Sequence, residues 1–127
     1  METIKKTDDD LKKIVEKWQP RLGLLDWDIN IRFVDTRALE GGFASTQLST
    51  SLQRAFITVL DIEDRSKSSK ENDIELDTVH ELLHVRLWLQ DSIIEQRNNN
   101  YESVIREQSI EHIARALIIA DRQNNTL

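Results

Sequence analysis

Asn72-Asp73-Ile74-Glu75-Leu76-Asp77-Thr78-Val79-His80-Glu81-Leu82-Leu83-His84-Val85-Arg86-Leu87 is the stretch that decides the fold of this chain. Ile74, Val79, Leu82, Leu83 and Leu87 recur at helical spacing, which predicts a helix from Asn72 to about Gln90. Asn72 with Glu75 three residues on has the form of a capping box at its start. His80 and His84 stand four residues apart, so on a helix their imidazoles share one face, one turn apart, and can grip a single cation. Glu81 projects beside that position, placed to take a proton from a water whose pKa the cation has lowered. The bland alternative is that two histidines and a glutamate merely share a helix whose Leu82 and Leu83 face the core. Two of the chain's three His fall in the motif, which favours the metal.

The chain has no Cys, so a metal must be held by His, Asp or Glu, and neither a disulfide framework nor a thiol nucleophile is available. Zinc suits the paired imidazoles, and a catalytic zinc takes three protein ligands with one position left open. The third ligand is sought downstream, where Val104, Ile110, Ile113, Ala114, Leu117 and Ile118 form an amphipathic stripe ending near Asp121. Measured from Ile110 at about 100° per residue, Glu107 lies about 60° away, Glu111 about 100° and His112 about 200°. Glu107 points nearest the core and is the expected third ligand. His112 is expected to face solvent. Glu111 is placed to accept a hydrogen bond from the outer nitrogen of a ligating imidazole, with a solvated helix charge as its equal alternative. Trp88, one turn beyond His84, is expected in the core.

Working outward toward the N-terminus, Leu11, Ile14, Val15 and Trp18 mark a first amphipathic helix, with Thr7 or Asp8 as N-cap and Pro20 as stop signal. Trp27 to Val34 alternates apolar and polar residues, the period of a half-buried strand whose apolar face is Trp27, Ile29, Ile31 and Phe33. The Ser- and Thr-rich segment Phe43 to Ser51 is a weak or edge strand, and Arg54 to Leu60, richer in β-branched and aromatic residues, is a better one. The polar run Glu63 to Glu71 links sheet to helices, Asn98-Asn99-Asn100 breaks the helical region, and Gln123 to Leu127 is a fraying tail. No internal repeat is visible.

At 127 residues the chain fits one domain, and 39% hydrophobic with 31% charged residues, three Gly and one Pro is the composition of a folded, helix-rich protein. A net charge of −6 argues against a nucleic-acid backbone as the main partner. No stretch has the length of a secretory signal or a membrane span, so a cytoplasmic setting without membrane association is expected.

With these residues in hand, the chain resembles the compact phage- and bacterial-type zincins called minigluzincins, and more distantly the SprT-like and ImmA/IrrE peptidase groups. The resemblance runs from about Leu22 to Asp121. It is carried by Leu24-Leu25-Asp26-Trp27-Asp28-Ile29, by Ala55-Phe56-Ile57, by His80-Glu81-Leu82-Leu83-His84, and by the run Glu107 to Leu117. Only the motif helix is highly specific alone. Glu107 followed by Glu111 has the Glu-x-x-x-Glu form of gluzincins, whereas a metzincin would need Gly at position 87 and His at position 90, where this chain has Leu87 and Gln90. The resemblance implies an α+β, zincin-like domain: an N-terminal helix, a small twisted sheet of about three strands, the HExxH helix and a C-terminal ligand-bearing helix. It further implies a Zn2+ peptidase acting on a peptide or protein, held by strand addition either at Phe43 to Ser51 or at Arg54 to Leu60. The family's downstream catalytic His has no obvious counterpart. Tyr101, the only Tyr, is a candidate oxyanion stabiliser, with ordinary packing the preferred reading. Two rival functions stand beside hydrolysis: a zinc-stabilised regulatory or interaction module, and an acidic helical domain without metal.

Overall fold

The computed structural model describes residues 6–39, 42–65 and 73–124. The chain runs α1 (Asp8–Arg21), β1 (Asp28–Val34), a 3-10 turn (Thr36–Ala38), β2 (Ala44–Ser49), β3 (Arg54–Leu60), a second 3-10 turn (Ile62–Asp64), α2 (Ile74–Arg86), α3 (Trp88–Arg97) and α4 (Asn100–Asn124). Among the described residues the architecture is α+β, four helices with one three-stranded mixed sheet. Strand order is β1-β3-β2, with β1 parallel to β3 and β2 antiparallel to it. Arg54–Leu60 is therefore the central strand and Ala44–Ser49 an edge.

Local chemistry sets the ends of these elements. Thr7 starts α1, its backbone N–H donating to the Asp10 carboxylate at 2.7 Å. Pro20 does not stop α1, as its position suggested, but sits inside the last turn. The stop comes three residues later at Gly23, whose φ of +70° is a conformation that costs a residue with a Cβ. Asn72 lies outside the described residues, and Asp73 caps α2 by accepting from the Leu76 N–H. Glu75, expected to complete that cap, accepts instead from the Trp18 indole and from Lys17. Lys17 also reaches Asp121, so one ammonium ties together α1, α2 and α4. At the other break, Asn98 takes φ +49° and closes α3, and the Asn99 side chain accepts from the N–H groups of Tyr101 and Glu102.

Among the described residues the buried side chains form one cluster drawn from β1, β3, α1, α2 and α4, with half-buried Ala44 and Leu48 of β2 packed against it. Helix α2 runs through its middle, packed against α1, α4, β2 and β3. Being covered on several sides, it buries Ile74, Leu76, Val79, Leu82, Leu83 and Val85 rather than a single stripe. In β1, Ile31 is buried while Ile29 and Phe33, with Trp27 just before the strand, pack half-buried against the core.

Two expectations need correction. The helix beginning near Asn72 does not continue to Gln90: it ends at Arg86, Leu87 has φ −104° and ψ 21°, and α3 starts at Trp88. In α4 only Ile110, Ala114 and Ile118 are buried, while Val104 and Ile113 are exposed, because that helix packs mainly along a narrow strip on α2 and α3. Among the described residues no helix is long and apolar enough to cross a membrane.

Candidate metal centre

Helix α2 presents His80 and His84 on the face turned toward α4, their rings 5.1 Å apart at an interplanar angle of 53°. Both side chains are about five-sixths buried, each 15% exposed. Glu107 comes across from α4 and meets both rings: its carboxylate oxygens lie 3.1 Å from His80 Nε2 and 3.0 Å from His84 Nε2. One atom from each of the three residues lies within 4.8 Å of the others. Zinc bonds of 2.0 to 2.1 Å in a tetrahedron put neighbouring donors about 3.3 Å apart. The three donors are thus close enough to hold one divalent ion with small side-chain rotations.

The opposite edges of the rings are also fixed. His80 Nδ1 lies 3.0 Å from Glu111 Oε1, and His84 Nδ1 lies 2.7 Å from Asp91 Oδ2. A carboxylate on Nδ1 selects the tautomer with the proton there and leaves Nε2 as the donor atom. Glu111 sits as its spacing from Glu107 on α4 suggested. Asp91 was missed in the sequence reading, because seven residues along an unbroken helix is about 10 Å of rise. The break at Leu87 lets α3 return Asp91 to the ring.

Glu81 lies on the same side as the Nε2 atoms, its Oε2 3.9 Å from His80 Nε2, and is only 9% exposed at the side chain. Its other oxygen accepts a 2.8 Å hydrogen bond from Thr46 Oγ1 on β2. Thr46 was not singled out in advance, since nothing in a Ser- and Thr-rich strand marks one hydroxyl above the rest. Together β2, α2, α3 and α4 wall a cleft of about 490 Å³ lined by Ser45, Thr46, Glu81, His84, Trp88 and Arg106 among others. Trp88 is therefore half-buried on the cleft wall and not in the core. Tyr101 is 74% exposed, neither packed nor on that wall, which removes both readings offered for it. His112 is exposed on the outer side of α4.

The charges are strongly coupled. Burial works against a charged His84, yet hydrogen bonds to Asp91 and Glu107 outweigh it and push the imidazole up to about 10. His80 is raised too, burial again being overcome by Glu107 and Glu111. The two imidazoles in turn hold the Glu107 carboxyl far below the usual carboxylate range. Burial pushes Glu81 up, against the pull of His84 and Thr46.

Comparison with known protein families, with curated proteins and with solved structures finds no match for this chain. The functional reading therefore rests on the site's own chemistry.

Proposed function

We propose that the chain is a zinc-dependent peptidase of the zincin type, compact and minigluzincin-like, with His80, His84 and Glu107 as zinc ligands and Glu81 as general base. The observation that carries this reading is the convergence of two Nε2 atoms and one carboxylate, each imidazole anchored from behind, beside an open cleft that contains a buried glutamate. A site built only to stabilise the fold has no use for Glu81 facing that cleft.

When bound, zinc supplies Lewis acidity, which polarises a carbonyl and makes water a competent nucleophile near neutral pH. His80 and His84 serve as neutral donors because Glu111 and Asp91 keep the remaining proton on Nδ1. Glu81 takes the proton of the attacking water at Oε2, since Oε1 is engaged by Thr46, and passes it to the leaving amine. Burial that raises the Glu81 pKa makes its carboxylate a stronger base for the first step. Of the two strands expected to hold an extended peptide, β2 is favoured: it is an edge, and its residues line the cleft, while β3 is paired on both sides.

Glu81→Gln keeps all three ligands and removes the proton acceptor. It is expected to bind zinc like the parent and to lose peptide hydrolysis by roughly 10²- to 10⁴-fold, measured on a library of extended peptides. Equal turnover by parent and variant would refute the assignment.

A further inference from the structure

We infer that Arg106 and Arg115 are positioning residues for the proposed zinc site, each ion-paired with the carboxylate that orients one imidazole. Arg115 meets Glu111 Oε2 with Nε at 3.0 Å and Nη2 at 2.8 Å, while Glu111 Oε1 faces His80 Nδ1. On the other side Asp91 Oδ2 faces His84 Nδ1, and Arg106 Nη1 donates to the Asp91 main-chain carbonyl at 3.2 Å. The Arg106 Nε and Asp91 Oδ1 atoms stand 3.6 Å apart, both buried and both without a hydrogen-bond partner among the described residues. A small closure of that gap joins them, and their burial leaves water no place between them. The result is two parallel chains, Arg115–Glu111–His80 and Arg106–Asp91–His84. Both arginines, Glu107 and Glu111 come from α4, so one helix supplies a ligand and most of the layer behind the others.

The layer also balances charge. Glu81, Asp91, Glu107 and Glu111 bring four carboxylates around the two imidazoles, and a divalent ion with two guanidinium groups leaves the loaded cluster formally neutral. A guanidinium repels a cation, however, so charge alone and orientation predict opposite effects on zinc. A residue acting only by charge would let zinc bind more tightly once removed; one acting through its carboxylate weakens zinc when its planar fork is lost, even if the charge stays.

The inference rests on the zinc reading above, and the test separates the two. Cobalt and zinc are titrated into the metal-free parent and into R106K, R106L and R115K, with thermal melting of each metal-free protein as control for folding. R106K is expected to weaken zinc roughly tenfold and to shift the cobalt visible bands, R106L to weaken it at least as much, and R115K, on an exposed arginine, to weaken it less. Zinc bound as tightly as in the parent, or more tightly, with unchanged cobalt bands in R106K and R106L overturns the inference while leaving the zinc reading intact. If the Arg106 variants do not fold, R115K decides by the same criterion. A parent that binds neither metal overturns both.

Discussion

Zinc binding at this site should be a proton exchange whose size follows from the geometry. In the metal-free protein His84 is held protonated at neutral pH, pushed up to about 10, and His80 is raised above its ordinary 6.5, both rings meeting Glu107 at Nε2. A cation at the same place takes over both Nε2 atoms while the Nδ1 hydrogens stay with Glu111 and Asp91. At least the His84 proton should therefore leave per zinc near pH 7, with the raised His80 adding to the release. Each released proton changes the affinity tenfold per pH unit, about 1.36 kcal/mol, so zinc should bind about tenfold tighter or more for each unit of rising pH. The dependence flattens as pH rises through the folded-state values. The sign on stability is fixed by the same shifts. His84, raised on folding, stabilises the metal-free protein fully below its ordinary 6.5 and ceases to do so as pH rises through about 10. Glu107, lowered on folding, contributes above its ordinary 4.5 and is lost as pH falls. Zinc should accordingly raise the melting temperature most on the alkaline side. Titration calorimetry in two buffers of different ionisation enthalpy counts the protons directly. Equal apparent enthalpies in both buffers at pH 7, with an affinity that does not change with pH, would refute the reasoning.

Other perturbations isolate single contacts. Thr46→Val removes the hydroxyl that supports ionised Glu81; a hydrogen bond to a charged group is worth about 1.5 to 3 kcal/mol, so the acidic limb of the pH–rate profile should move up by about one to two units. An unmoved limb would show that Glu81 is not the group titrating there. Asp91→Ala should weaken zinc about 10- to 100-fold by freeing the outer nitrogen of His84, read by competition with a chromophoric chelator. Asn99→Ala should cost about 1 kcal/mol in denaturant unfolding through loss of the α4 cap, with zinc affinity unchanged.

Much of the molecule can be read from short-range pattern. The motif helix, the alternating β1 and the apolar β3 each announce themselves within ten residues, and Glu107 and Glu111 reach their partners because their angle from Ile110 is fixed by helix geometry. What escapes is set by long-range packing. Leu87 has a helix-favouring side chain and no Gly or Pro beside it, so the break there is imposed by where α3 must lie against α4. With the break hidden, helical spacing puts Trp88 in the core rather than on the cleft wall and gives Asp91 no role. Thr46 becomes special only once β2 is known to pair beyond β3 and lie over Glu81. Val104 and Ile113 fit a helical stripe that the narrow contact of α4 does not cover.

Elemental analysis of the protein equilibrated with zinc and then desalted, run beside its Glu107→Ala variant, tests the central claim most directly. Three donors converging on one point predict about one zinc per chain in the parent and a large loss in the variant. A parent without stoichiometric metal, or a variant that retains all of it, would contradict the account.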